Sequence, residues 1–182
     1  MLFRSHAGLL HDIGKIAMDD TILANLGNLM PGDMETIKKH PVIGARIIAP
    51  LSSLANVAEL IRSHHERYNG TGYPEGLIGE AIPLGARIIA VTDSFDAMTS
   101  QRPGTQTVGV KKAMSLLLEQ AGTTFDPEVV RDFVRAIEKN PEAVAPFTLT
   151  EDYLSQHVRA CTKSEKQSSP LARMLKKCVP GF

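Results

Sequence analysis

Apolar residues recur along this chain at steps of three and four, and no run of single alternation suggests a strand. That pattern predicts helices almost throughout. Leu9, Ile13 and Ile16 mark a short helix over residues 5–17. A loop with Gly27, Pro31 and Gly32 follows, and Asp33 reads as the N-cap of a helix bearing Met34, Ile37 and Lys38. His40-Pro41 should break that helix, because the residue before proline avoids the α region and proline suits the first turn of a new helix. The new helix carries Ile43, Ile47 and Ile48. Residues 54–66 form the next, with Val57, Leu60, Ile61, His64 and His65 on one inward stripe. Residues 69–82 are rich in glycine and read as a loop. Pro83 opens a long helix to about Thr99, residues 108–121 give another closed by Gly122, and Asp126-Pro127 starts the last. After about Asn140 the periodicity fades, apart from a short helical stretch in LARMLKKCV. The expectation is an all-α bundle of six to seven helices over residues 1–140, with a flexible or peripheral tail over 141–182.

The length of 182 residues suits one domain plus such a tail. With 20 basic and 20 acidic residues the formal net charge is zero, so bulk charge draws the chain neither to DNA nor to a membrane surface. Tryptophan is absent and aromatics are few, which disfavours a base-stacking platform. Cys161 and Cys178 lie far apart near the C-terminus, outside any CxxC spacing. That argues against a cysteine zinc site and a disulfide framework, and it fits a reducing, cytoplasmic setting. MLFRSHAGLLHDIGK has neither the apolar region nor the small-residue site of a signal peptide. The longest apolar run, IPLGARIIAV, is too short to span a bilayer and contains Arg87.

The chemistry concentrates in a few positions. His64 and His65 continue the apolar face of their helix and leave its axis about a third of a turn apart, so two rings could serve neighbouring metal ions. One such histidine would read as a satisfied core residue. Two of them beside a glycine-rich loop shift the reading toward a metal. In LLHDIGK, His11 and Asp12 sit among Leu9, Leu10 and Ile13, where a carboxylate and an imidazole are costly unless paired or bound to a cation. Lys15, four residues after His11, falls on the same helix face and is placed to hold a phosphate oxygen. The plain alternative is an exposed His-Asp pair with a solvated lysine. His40 sits at the predicted break, where alone it would read as a helix-end cap. Asp93 lies mid-helix between Val91 and Phe95, poor company for an unpartnered carboxylate. Together His11, Asp12, His40, His64, His65 and Asp93 form a nitrogen and oxygen donor set without thiolate, suited to iron or manganese as readily as zinc. Two ions about 3.5–4 Å apart would activate water and neutralise a phosphoryl group.

The motifs LLHDIGKI, KKHPVIGARII, RSHHERYNGTGYPEGLIGEAIPLGARIIAVTDSFDAMTSQRP and AGTTFDPEVV, in that order, resemble the HD-GYP domain, a branch of the HD phosphohydrolase superfamily. The resemblance covers residues 5–137. It implies an HD-type helical bundle and metal-dependent hydrolysis of cyclic di-GMP to pGpG or GMP in bacterial signalling. Carried over by motif, the metal ligands are His11, Asp12, His40, His64, His65 and Asp93. They would hold two, or three, divalent ions, with iron or manganese favoured. Lys15 and Asp12 take catalytic positions. Gly72, Tyr73 and Pro74 form the substrate wall, and Arg102 lies near the ligand phosphates. Implied partners are the cyclic dinucleotide and a diguanylate cyclase or sensor and receiver proteins; a homodimer is compatible. The sequence also departs from the family. Members carry two helices before the HD motif that supply a glutamate and a histidine, whereas ten residues precede His11 here and His6 is spaced wrongly to replace them. Asn25 stands where a lysine is common, and Thr105 where a basic residue is common. These departures give a second reading, a catalytically degenerate module that binds a cyclic dinucleotide or a signalling protein. A third is another HD-type nucleotide phosphohydrolase, against which the GYP loop argues.

Overall fold

Glycine decides how closely the first two parts of the bundle approach. A Cβ on Gly14 would collide with the His40 carbonyl and come within 2.6 Å of the Gly44 nitrogen, so only glycine lets the chain after His11 lie against the start of the helix that His40 opens. In this computed structural model, which describes residues 2–24, 30–100 and 107–140, the first helix α1 therefore ends early. It runs Leu2–Leu10, and a tight 3-10 turn at Ile13–Ala17 follows. This corrects the continuous helix expected over 5–17. His11 and Asp12 stand at the junction rather than on one helical face with Lys15. The correction extends to the apolar stripe: Leu9 and Ile16 are 83% and 76% exposed, and of the three marker residues only Ile13 packs on the core.

Two short helices follow, α2 (Asp20–Ala24) and α3 (Asp33–Ile37). Asp33 is not the N-cap. Gly32 takes that place with φ +95, and the Asp33 carboxylate instead accepts from the Met30 N–H at 2.7 Å. Helix α4 (His40–Ile48) begins where expected, with Pro41 in its first turn. Helix α5 (Ala55–Ser63) stops sooner than expected, so that His64 caps it and His65 lies beyond it. The chain from there to α6 is irregular. It contains a cis Tyr73-Pro74 bond, a 3-10 turn at Gly79–Ala81 and an isolated bridge between Asn69 and Ile78. Helix α6 (Leu84–Thr99) is the longest of the described helices, and α7 (Val110–Glu119) and α8 (Pro127–Lys139) complete them. Asp126 caps α8 as expected, accepting from Glu128 N–H at 2.7 Å and Val129 N–H at 3.3 Å. Among the described residues there is no strand, in keeping with the all-α expectation.

Two apolar clusters hold the bundle. In the first, Ala7 of α1, Ala45 and Ile48 of α4, Val57, Ala58 and Ile61 of α5 and Ile89 of α6 are all buried together. In the second, the other turns of α6 supply Val91 and Phe95, which pack on Ala113 and Leu117 of α7 and Val130 and Ile137 of α8. Burying a side chain such as Ile61 contributes about 1.5–3 kcal/mol each. Helix α6 therefore joins both halves, and its middle turn brings Asp93 to the place where α1 and α5 end and α4 begins. No described helix is long and apolar enough to cross a membrane.

Candidate metal centre

Helix ends, not helix faces, build the site. His11 follows the last turn of α1, His40 opens α4 and His64 closes α5. Each of these three rings is anchored the same way. His11 Nδ1 lies 2.7 Å from the Gly8 carbonyl, His40 Nδ1 2.7 Å from the Ile37 carbonyl and His64 Nδ1 2.5 Å from the Ile61 carbonyl. A carbonyl oxygen only accepts, so each Nδ1 carries a proton and donates it. In the neutral ring Nε2 is then a bare lone pair. A backbone carbonyl that fixes the tautomer and aims the other nitrogen is the usual support of a metal-binding histidine.

These lone pairs converge. His40 Nε2 is 3.3 Å from His64 Nε2 and 3.2 Å from Asp12 Oδ1. His11 Nε2 is 3.5 Å from Asp12 Oδ2 and 3.7 Å from Asp93 Oδ1. One ligand atom each from Asp12, His40, His64 and His65 lies within 4.8 Å of the others. Acceptor facing acceptor at such distances is repulsive unless a positive charge stands between them. Asp12 Oδ1 is buried with no hydrogen bond, so either a second proton on His40 or a shared cation must satisfy it. Burial pushes His64 down to about 4, and the nearby His40 and His11 rings add to this. His65 is pushed down to about 3, first by burial and then by His64 and His40. Both rings are therefore neutral near pH 7, with nitrogens free for a metal rather than a proton. For Asp12, burial acts upward, but the His40 ring and Lys15 outweigh it and hold the carboxyl well below its usual range. It is an anion in this site. The donor set of imidazoles and carboxylates fits a divalent metal of the iron, manganese or zinc type.

All six expected ligands are thus brought to one place, with His11 and Asp93 at its edge. His6 lies outside the group. Lys15 is present, but its Nζ is 2.5 Å from Asp12 Oδ2, an i,i+3 pair made by the 3-10 turn rather than the i,i+4 face expected from His11. Gly72, Tyr73 and Pro74 border the site. The Tyr73 ring stacks on His65 with centroids 4.9 Å apart at 25°, and the Tyr73 N–H donates to the His65 carbonyl at 3.2 Å. A Cβ on Gly72 would meet the Arg67 nitrogen and lie 2.5 Å from Glu66 Cα, so the loop passes too close for any other residue. Beside His64, His65 and Asp93 lies a cavity of 140 Å³ that Arg67, Ser94 and Thr124 also line. Arg102, Asn25 and Thr105 lie outside the described residues.

Sequence reasoning missed Glu66. It is 4% exposed, and its carboxylate accepts three backbone N–H groups of the loop: Glu75 at 2.7 Å, Gly76 at 3.2 Å and Leu77 at 3.1 Å. Its position one residue past the histidine pair and before a glycine-rich loop was the available signal.

The profile of the HD domain family matches residues 3–129. This chain belongs to the HD domain family. The expected resemblance thus holds over nearly the same stretch. Among its curated relatives, the "Cyclic di-GMP phosphodiesterase response regulator RpfG" of Xanthomonas campestris is 45% identical over 131 residues, covering 71% of this chain and 35% of that protein. A "Cyclic di-GMP phosphodiesterase" of Thermotoga maritima is 43% identical over 131 residues, covering 71% of this chain and 36% of that protein. A "3'3'-cGAMP-specific phosphodiesterase 3" of Vibrio cholerae is 35% identical over 146 residues, covering 80% and 32%. This HD domain chain therefore spans about a third of the length of these relatives. The crystal structure of a Vibrio cholerae cyclic GMP-AMP-specific phosphodiesterase shares its fold, with a TM-score of 0.58 at 23% identity, over 86% of this chain and 42% of that one.

Proposed function

We propose that this HD domain is a metal-dependent phosphodiesterase that hydrolyses cyclic di-GMP to pGpG or GMP. The observation that carries the reading is the convergence of bare Nε2 lone pairs on a buried, unsatisfied Asp12 oxygen. Such a cluster is repulsive alone and favourable around cations, which a phosphodiesterase uses to activate water and offset phosphoryl charge. The names of the relatives support the substrate class.

In this reading His11, Asp12, His40, His64, His65 and Asp93 hold two or three divalent ions, iron or manganese by the family resemblance, which a donor set of imidazoles and carboxylates accommodates. Lys15 steadies Asp12 and offers its ammonium to a phosphate oxygen. Arg102 takes another phosphate oxygen. Gly72, Tyr73 and Pro74 wall the reacting phosphate, and the Tyr73 ring, pressed on His65, keeps solvent from one side of that imidazole. Residues 1–140 form the catalytic unit, and the stretch 141–182, expected from the sequence to be a tail, lies outside the described residues.

The test is hydrolysis by protein loaded anaerobically with Fe(II) or Mn(II), with product separated by chromatography. Chelator should abolish turnover. A His64→Ala, His65→Ala double variant should lose metal stoichiometry and at least 100-fold in rate, as expected when ligands of an essential ion are removed. Full activity in that variant would sink the reading. Running 3'3'-cGAMP beside cyclic di-GMP fixes which cyclic dinucleotide is preferred.

A further inference from the structure

Two lysines stand close to the centre, and they differ in what already claims their charge. Lys15 is committed to Asp12 at 2.5 Å. Lys38, just after α3, is exposed, and among the described residues no ion pair involves it. Its Nζ instead stands 5.6 Å from the centroid of the Tyr73 ring, in cation–π range. That ring is not a loose platform. It stacks on His65, its own N–H is bonded to the His65 carbonyl, and the loop just beyond it is fastened by Glu66 through three N–H groups. An uncommitted ammonium is therefore held one aromatic ring away from a donor of the candidate metal centre.

A cyclic dinucleotide carries two phosphodiesters in one closed sugar–phosphate ring. Seating one at the metals brings the other, still negative, to a neighbouring position. It needs a cation there that is not consumed by the metal donors. We propose that Lys38 is that cation: it binds the phosphate that is not being cleaved. The inference rests on the cyclic dinucleotide reading above. The ammonium is a compact point charge on a flexible stem, suited to an oxygen whose position shifts slightly during reaction. Because the uncleaved phosphate carries the same charge before and during the chemical step, Lys38 contributes equally to substrate and transition state. Its loss should therefore raise KM and leave kcat unchanged.

The experiment uses Lys38→Met, which keeps the stem and removes the charge, and Lys38→Arg. The metal-loaded variants are compared on cyclic di-GMP and on bis(p-nitrophenyl) phosphate, which has a single phosphodiester. Lys38→Met should raise KM for cyclic di-GMP about tenfold, the usual scale of one charge-assisted contact, with kcat unaltered. Hydrolysis of bis(p-nitrophenyl) phosphate should not change, and Lys38→Arg should recover most of the affinity. Calorimetric Kd for cyclic di-GMP should move by the same factor, so the inference is tested even if turnover is slow. An unchanged KM and Kd in Lys38→Met overturns it. Equal losses on both substrates overturn it too, since they would mean that Lys38 only supports Tyr73. If wild-type protein neither binds nor hydrolyses cyclic di-GMP, the functional reading falls and this inference falls with it. Binding that Lys38→Met leaves intact removes this inference alone.

Discussion

In the histidine pit, backbone orients side chains; in the glycine loop beside it, a side chain orients backbone. The pit takes three imidazoles, turns each with a carbonyl three residues back, and leaves their other nitrogens facing one another and a carboxylate. The loop runs the other way, with the buried Glu66 carboxylate gathering the N–H groups of residues 75–77. Every acceptor of that clamp is used, whereas the acceptors of the pit are in conflict. The loop should then be stable in itself, and the pit should depend on a cation. That difference can be measured.

The largest effect expected is on the acid side of the metal-free protein. His64 is lowered to about 4 and His65 to about 3 in the fold, against about 6.5 for a free imidazole. Above that ordinary value both rings are neutral whether folded or not, and the fold keeps its full stability. As pH falls below it, the unfolded chain binds protons that the folded pit refuses, so stability drops until pH passes the folded values. His64 alone accounts for roughly 3 kcal/mol, lost by the time pH has fallen to its folded value of about 4. Urea denaturation from pH 7 to pH 4 should show this decline in chelator-treated protein. Saturating Mn(II) at pH 7 should raise stability, and the gain should fade with acid as protons compete for the ligands. A flat profile in the metal-free protein would mean the pit is open enough to hydrate its histidines.

Next in size is the clamp. Glu66→Ala leaves three loop N–H groups without their acceptor and should cost about 2–3 kcal/mol in urea denaturation. The same loss frees Tyr73 from its place on His65, so metal-loaded protein should also lose activity. Glu66→Gln keeps an acceptor oxygen and should recover part of both. If Glu66→Ala proved as stable as wild type, water would be replacing the clamp and the loop would not be self-supporting.

How far the sequence showed these two regions follows from what holds them. The pit was legible because its residues are chemically conspicuous: His64 and His65 side by side after an apolar stripe, and Asp93 between Val91 and Phe95. The helix starts at His40-Pro41 and Asp126-Pro127 were legible from proline and cap chemistry. The early end of α1 was not, because Gly14 is needed for a contact with His40 and Gly44 that lies far along the chain. Leu9 and Ile16 mimic an inward stripe yet face out. Glu66 and Lys38 were passed over for a related reason. A glutamate whose partners are backbone N–H groups, and a lysine whose partner is a ring surface, leave no mark in the pattern of residue types. Both partners become visible only once the loop has turned back.

The smallest effect sharpens the comparison inside the loop itself. Arg62 Nε reaches Glu75 Oε1 at 2.7 Å, and it ties α5 to the same residue whose N–H Glu66 accepts. The two ties are equally short but differ in surroundings. Glu66 is buried, while the Arg62 and Glu75 side chains are 40% and 43% exposed. An exposed pair exchanges one hydrated state for another and must also restrain two long side chains, so it contributes little, about 0.2–1 kcal/mol. Arg62→Ala should therefore shift the urea midpoint only slightly, and the shift should shrink further in high salt. The double variant with Glu66→Ala should be additive to within about 0.5 kcal/mol if the ion pair merely decorates a loop already fixed from below. A larger coupling would mean that Arg62 and Glu66 hold the loop jointly, and that burial alone does not separate the two kinds of tie.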